Sequence, residues 1–375
     1  MAYPNPTQPV VINVSTSITP QADTRLRTFC VVSCGDTSLD AGKSVIVNST
    51  NYASNVTASS FTAKALKSFF AQAPKQTCVV IEVKGSGSPA VSQQVQTLID
   101  YITAGLKVGY GYCIPPTITA DASCEGLFSA YSSLTQGVYF FIDMEADVPT
   151  SSTLWTTYVN KAKSVFGVYP SIATADYVGS ATAMGICASP SYNITSSNKL
   201  SDLNQKICGG IQSTELDTAL EQDIADATAS FFYNDGSTCL LGGGRMADGE
   251  LWTSYYAWDL TISKVESAIR TCLLNSSNVP NTAIYFDNQG ITTLAQVIIN
   301  TLKTCKTLGL VANFGSGKDL TTDTITGLNK IFAVPVSQWK QENPTEFKQG
   351  IYGGFTAYIE VGSFIQQVIF NVNKG

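Results

Sequence analysis

Apolar and polar residues along this chain alternate with two periods, one of two residues and one of about 3.6, and the switches between them mark out the elements. Near the start, PVVINVSTSI puts Val10, Ile12, Val14, Thr16 and Ile18 on one face of a strand and Val11, Asn13, Ser15 and Ser17 on the other. Near the end, SFIQQVIFNVN sets Phe364, Val368, Phe370 and Val372 on one side, with Gln366 among them. Chain ends fray unless something ties them down, and an apolar strand with an open edge invites pairing with another chain. The two terminal strands therefore belong either to the protein's own sheet or to a neighbour's. Between them, RTFCVVSC, SVIVNS and CVVIEV read as strands. TASSFTAKALKSFFAQAP reads as a helix that carries Phe61, Ala65, Leu66, Phe69 and Phe70 and stops before Pro74, and VSQQVQTLIDYI as a helix striped by Val91, Val95, Leu98 and Ile102. Strand and helix alternate, which predicts an α/β layer.

From about Pro115 to Gly244 the texture changes to more Ser, Thr and Ala, several cysteines and loops ending in LLGGGRMADGE. Within it GVYFFIDMEA predicts a strand, and TLWTTYVNKAKSVF and TELDTALEQDIADATASFF predict helices. The α/β pattern resumes with helices over LTISKVESAIRTCLL and GITTLAQVIINTLKTCKTL flanking a strand at TAIYFD. The organisation expected is a strand arm over 1–20, a core domain in two parts over 21–114 and 245–361, an inserted α/β domain over 115–244, and a second strand arm over 362–375.

Composition narrows the classes of function. Apolar residues make up 44% of the 375 positions and charged residues only 13%, about half the ~25% usual for soluble domains, so the surface is largely Ser, Thr, Asn and Gln. Such a surface costs little to desolvate, a feature of assembly subunits. No run of 18 or more apolar residues occurs, and MAYPNPTQ has neither the basic nor the apolar region of a signal peptide, so a protein made in the cytoplasm is expected. A net charge of −6 with no basic run argues against nucleic acid as a partner. Histidine is absent, which removes the usual general base, the commonest metal ligand and the Ser/His and Cys/His nucleophile systems.

The ten cysteines contain no CxxC pair, so a zinc site has little support. Cys272 and Cys305 follow apolar residues at helical spacing and read as buried thiols. Cys30 and Cys34, four apart on a strand, stand about 13 Å from each other and each needs another partner to be oxidised. Cys113, Cys124, Cys208 and Cys239 lie in Gly-, Pro- or Ser-containing stretches that read as loops, and with Cys30 and Cys34 they are the candidate disulfide cysteines.

The catalytic possibility is FFIDMEADVP, where Asp143, Glu145 and Asp147 alternate along one side of a strand with about 7 Å between successive positions, a spacing that suits two carboxylates acting on a glycosidic bond. The bland reading is that acids mark the exit of a buried strand into solvent. NFGSGKDL is no phosphate loop, because Ala312 stands where Gly is needed and Asp319 where Ser or Thr is needed. The five N-x-S/T triplets, at Asn13, Asn48, Asn55, Asn193 and Asn275, are expected by chance in so Ser/Thr-rich a chain.

Several segments together resemble the tail sheath proteins of contractile-tailed bacteriophages: VVINVSTSITPQA, NYASNVTASSFTAKALKSFFAQAPKQTCVVIEV, ISKVESAIRTCLLNSSNVPNTAIYFDNQGITTLAQVIINTLKTCKTLGLVANF, and GIYGGFTAYIEVGSFIQQVIFNVN. The likeness covers two blocks at the ends of the chain. It implies a mixed-sheet sheath core domain with an inserted outer domain, and terminal arms, carried by Val10, Ile12, Val14, Ile18, Phe364, Val368, Phe370 and Val372, that complete a sheet in neighbouring subunits. It further implies a structural protein, not an enzyme, without cofactor or metal. Hexameric rings would stack helically around a tail tube protein, bounded by baseplate and tail terminator proteins, assembled in the host cytoplasm and carried in the virion tail. Contraction would drive the tube through the host envelope, with no nucleic acid or membrane as partner. The alternative is a carboxylate-dependent glycoside hydrolase using Asp143 and Glu145.

Overall fold

The computed structural model describes residues 25–104, 109–133, 137–146, 153–158, 162–189, 199–278 and 283–362. Both terminal strands expected from the sequence, and Asp147, lie outside the described residues. The described residues fall into two compact units, a larger one within Thr24–Asn193 and Ser201–Tyr255 and a smaller one within Ile194–Leu200 and Tyr256–Ser363.

The larger unit is built on a six-stranded sheet. In chain order its elements are β1 (Phe29–Ser33), β2 (Ser44–Asn48), α1 (Phe61–Gln72), β3 (Thr77–Glu82), α2 (Val91–Ala104), β4 (Gly111–Cys113), α3 (Pro116–Thr119), α4 (Ser123–Ser133), β5 (Tyr139–Asp143), α5 (Thr153–Tyr158), β6 (Val165–Val168) and α6 (Gly179–Ala188). There follow β7 (Lys206–Ile207), α7 (Thr218–Asp226), β8 (Phe231–Asp235) and β9 (Thr238–Gly242). The spatial order β2-β3-β1-β4-β5-β6 is parallel throughout except for the antiparallel edge strand β2, so the sheet is mixed. Strands from both sides of residue 115 share it. β7, β9 and β8 form a separate antiparallel sheet.

Both faces of the large sheet are covered, which is why β1 and β5 read as nearly continuous apolar runs. On one face Cys30, Val32, Ile81, Tyr112, Phe140 and Ile142 pack with Val95, Leu98 and Ile102 of α2, Leu127 and Phe128 of α4, and Leu154 and Trp155 of α5. On the other, Phe29 meets Phe69 of α1 at 6.2 Å between ring centroids. α1 starts where Ser60 Oγ accepts from the Ala63 N–H at 3.1 Å, and it lies so close to α6 that a Cβ at Gly185 would stand 2.7 Å from the Phe69 carbonyl oxygen.

The smaller unit takes most of α8 (Trp252–Asn278), then α9 (Asn288–Thr307), β10 (Val311–Asp319), β11 (Thr324–Leu328), β12 (Phe332–Ala333), α10 (Val336–Glu342), α11 (Pro344–Lys348), β13 (Phe355–Thr356) and β14 (Tyr358–Val361). α9 is capped by Asp287, whose Oδ1 accepts from the Gly290 N–H at 2.8 Å, and buries Ile291, Ile298, Leu302 and Cys305 as its stripe predicts. The strand expected at TAIYFD is not there: residues 283–287 are irregular, with Tyr285 71% exposed. Two predicted helices are shorter than expected. VF, at the end of one, opens β6, and FF, at the end of the other, opens β8, where Val165 and Phe232 are buried in the core.

Candidate functional site

In a doubly wound sheet the place for a ligand is the crevice beyond the carboxyl ends of the strands, where neighbouring crossovers part to opposite faces. Here it lies beyond β1 and β4, whose flanking crossovers run to β3 on one side and β5 on the other. Beside it, the carboxyl ends of β1 and β3 are tied together by an acid. Glu82, fully buried at the end of β3, accepts from Ser33 Oγ at 2.7 Å, the Gly35 N–H at 2.7 Å, the Thr37 hydroxyl at 2.8 Å and N–H at 3.3 Å, and the Lys84 and Gly85 N–H groups at 3.0 and 3.1 Å. Burial pushes its carboxyl up, but the hydrogen bonds from Ser33, Thr37, Lys84 and Gly85 outweigh burial and leave it below the usual range. Both oxygens are occupied by donors, so Glu82 is a clamp on the loops after β1 and β3 and has no free lone pair to act as a base. Nothing but the acid inside the apolar run CVVIEV signals it in the sequence.

The carboxylates of FFIDMEADVP do not converge. Asp143 closes β5, and its Oδ1 accepts from the Ser180 N–H at 2.7 Å at the start of α6. Glu145 lies past the strand, where alternation no longer holds. Its Oε2 accepts from the Leu154 N–H at 3.4 Å, and its carbonyl from Trp155 Nε1 at 3.0 Å, both on α5. Leu154 and Trp155 belong to the opposite face of the sheet from α6, so the two acids are turned to different helices. The expectation that they share one side of a strand is corrected. Burial pushes Asp143 up to about 6, against the Ser180 N–H and hydroxyl, which favour the charged form.

All ten cysteines are free thiols. Of the four expected in loops, Cys208 is a loop residue and the other three are not. Cys113 lies in β4 with its sulfur 3.5 Å from Ser180 Oγ, Cys124 in α4, Cys239 in β9 and Cys208 directly after β7, all buried. Short strands and a helix that opens on Ser and Gly look like loops by composition alone. Cys30 is buried in β1, and burial raises its thiol. Burial likewise pushes Cys34, next to Thr117, and Cys124 up to about 12. Among the described residues no group of three or more Cys, Asp or Glu is placed to hold a metal ion, and no helix is long and apolar enough to cross a membrane.

A different kind of site appears in the smaller unit. From Ser316 to Gly362 a single residue, Gly354, is buried. The segment nevertheless carries Leu320 at 89% exposure, Leu328 at 53%, Phe332 at 49%, Tyr358 at 40% and Ile351 at 37%, five of the nine exposed large apolar residues among those described. Its internal order comes from rings: Tyr352 packs on Trp339 at 5.3 Å and on Phe355 at 4.8 Å, and Phe286 on Phe347 at 4.5 Å. Tyr352 donates its hydroxyl to the Val334 carbonyl at 2.6 Å, and Trp339 Nε1 donates to the Ile351 carbonyl at 3.0 Å. The sheet β11-β10-β14 has two open edges among the described residues, and β14 leads directly into the segment read as the C-terminal arm. Open backbone edges beside unburied apolar side chains are what strand addition requires.

No protein-family model matches this chain, and no curated protein matches it in sequence. Solved structures do. The sheath tail protein from Desulfitobacterium hafniense aligns at 11% identity with a TM-score of 0.52, covering 80% of this chain and 90% of that one. The sheath complex of an extracellular contractile injection system, PVC, in its contracted state aligns at 14% identity and TM-score 0.58 over 100% of this chain and 98% of its own. The anti-feeding prophage (AFP) baseplate in its contracted state gives 12% identity and 0.57 over the same shares, 100% and 98%. The chain has the fold of contractile sheath proteins.

Proposed function

We propose that this chain is the structural subunit of a contractile sheath, assembling as stacked six-fold rings around a tube and contracting to drive that tube through a host envelope. One observation carries the reading: the segment 316–362 offers open strand edges and uncovered apolar side chains in a chain that matches a contracted sheath along its whole length. The terminal strands, with Val10, Ile12, Val14 and Ile18 at one end and Phe364, Val368, Phe370 and Val372 at the other, are the arms that neighbouring copies lay against β14 and β11. Main-chain hydrogen bonds hold the lattice while alternate side chains set the register. The larger unit moves as a rigid body between extended and contracted states, and the arm linkers act as hinges. The stored free energy is that of a metastable lattice formed at assembly, so the role is mechanical and not catalytic. Tube, baseplate and tail terminator proteins are the partners, and the assembled particle is a tail.

Negative-stain microscopy of the purified protein tests this reading. Cylinders or rings are expected from the full chain and monomers from a chain lacking 1–20 and 362–375. Cylinders from both forms would contradict it.

A further inference from the structure

Lys206 and Ile207 of β7 pair with Leu241 and Leu240 of β9, and the same antiparallel register carried one step further sets Cys208 opposite Cys239. The backbone agrees, because the Cys208 N–H donates to the Cys239 carbonyl at 2.8 Å. Directly opposed residues that share such a bond have Cα atoms about 5.5 Å apart, inside the range of about 4.4–6.8 Å that a disulfide spans. The neighbouring residue is fixed as well: Gln72 accepts from the Gly209 N–H and donates to the Gly209 carbonyl, both at 3.0 Å. Both cysteines are 3% exposed, yet Ile207, Gly209 and Gly210 beside them are open to solvent, so the cover is thin.

We propose that Cys208 and Cys239 are a disulfide-forming pair, oxidised by a peroxide when the protein meets an oxidising environment. The Cys208 thiol donates to the Lys206 carbonyl at 3.5 Å, which holds its proton, and the neighbouring sulfur holds Cys239 below its ordinary value while Cys208 is held up. Cys239 is thus the nucleophile and Cys208 the resolving thiol. The Cys239 thiolate attacks one peroxide oxygen, the O–O bond breaks, and the leaving hydroxide takes the proton Cys239 gave up and departs as water. Cys208 sulfur then attacks the sulfenic sulfur, the S–O bond breaks, and the expelled hydroxide leaves as a second water with the Cys208 proton. Two thiols and one peroxide give one disulfide and two waters. The new bond closes a loop that contains α7 and β8 and ties the turn at Gly209 and Gly210 to the middle strand of its sheet. It requires nothing of the sheath reading, and its failure would leave that reading untouched.

The test is to titrate the full-length reduced protein with hydrogen peroxide, block the remaining thiols with iodoacetamide, and map the non-reduced digest by mass spectrometry. The expected result is a cross-link joining the Cys208 and Cys239 peptides, formed before Cys34 and Cys272, the two less buried cysteines, are consumed. The oxidised protein should melt higher by roughly 5 °C. Cys208→Ser should leave Cys239 as a sulfenic acid that dimedone traps, and Cys239→Ser should leave Cys208 unmodified. Complete oxidation of Cys34 and Cys272 without the cross-link in the wild-type chain would overturn the proposal, whatever the variants do.

Discussion

Residues 25–189 and 316–362 have comparable shares of aromatic and β-branched side chains but bury them very differently. In the first, Phe29, Phe69, Phe128, Phe140, Phe141 and Phe166 are sealed between a six-stranded sheet and the helices on its two faces. In the second, Trp339 and Phe355 pack on Tyr352, and Phe347 on Phe286, while all of them stay only partly buried. A region that buries one residue in its whole length does not recover the conformational entropy of ordering it from its own packing. Among the described residues, little else in the chain covers it. The difference separates a body that buries its own core from a region that, on the proposed function, other copies complete.

Perturbing the two regions should therefore give opposite signatures. The largest effect on the isolated protomer is expected at Phe69→Ala, which opens a cavity between β1, α1 and α6. About 4 kcal/mol of stability should be lost, read from the urea midpoint. Glu82→Gln comes next. An amide NH2 then faces donors that had a carboxylate oxygen, leaving buried groups unpaired, and about 3 kcal/mol should be lost by the same assay.

Asp143→Asn should act in the other direction and with pH. The Asp143 carboxyl titrates at about 6 in the fold against an ordinary value of 3.8, so charging it opposes folding. Its cost is absent below the unfolded value, grows as pH rises through that window, and is complete above about 6, reaching on the order of 2–3 kcal/mol. Asn keeps the acceptor for the Ser180 N–H without the charge. The variant should gain its full advantage at pH 7.5 and lose it at pH 4. Glu82 shifts the opposite way, stabilising above its unfolded value and losing that contribution as pH falls, so the difference between wild type and variant is the quantity to measure. The smallest effect on the protomer is expected from Leu320→Ser, less than about 0.5 kcal/mol, because that side chain is 89% exposed. Assembly into cylinders, scored by sedimentation, should nonetheless be lost, and unchanged assembly would erase the distinction between the regions.

The elements of the fold differ in how far the sequence discloses them. α1, α2 and α9 follow from one-sided stripes and, for α1 and α9, from the caps Ser60 and Asp287. α6 leaves no such trace, because GSATAMGICA is buried all round and so has no polar face to set a period. β4 is three residues long, too short for alternation to register. TAIYFD has the composition of a strand, but its described residues, 283–287, pair with none. Glu82 was visible only as an acid in an apolar run, and the hydrogen bonds that explain it come from residues up to 49 positions away. Cys208 and Cys239 are brought together by a pairing between strands that flank α7 and β8, a relation periodicity does not encode.

Hydrogen exchange, followed by mass spectrometry on the free protomer and on assembled cylinders, addresses the central claim most directly. Amides of β10, β11, β14 and the Trp339–Tyr352 cluster should exchange rapidly in the protomer and become strongly protected on assembly, while those of β1, β3 and β5 stay protected in both. Equal, high protection of 316–362 in the free protomer would contradict the account, since the region would then need no neighbour to hold it.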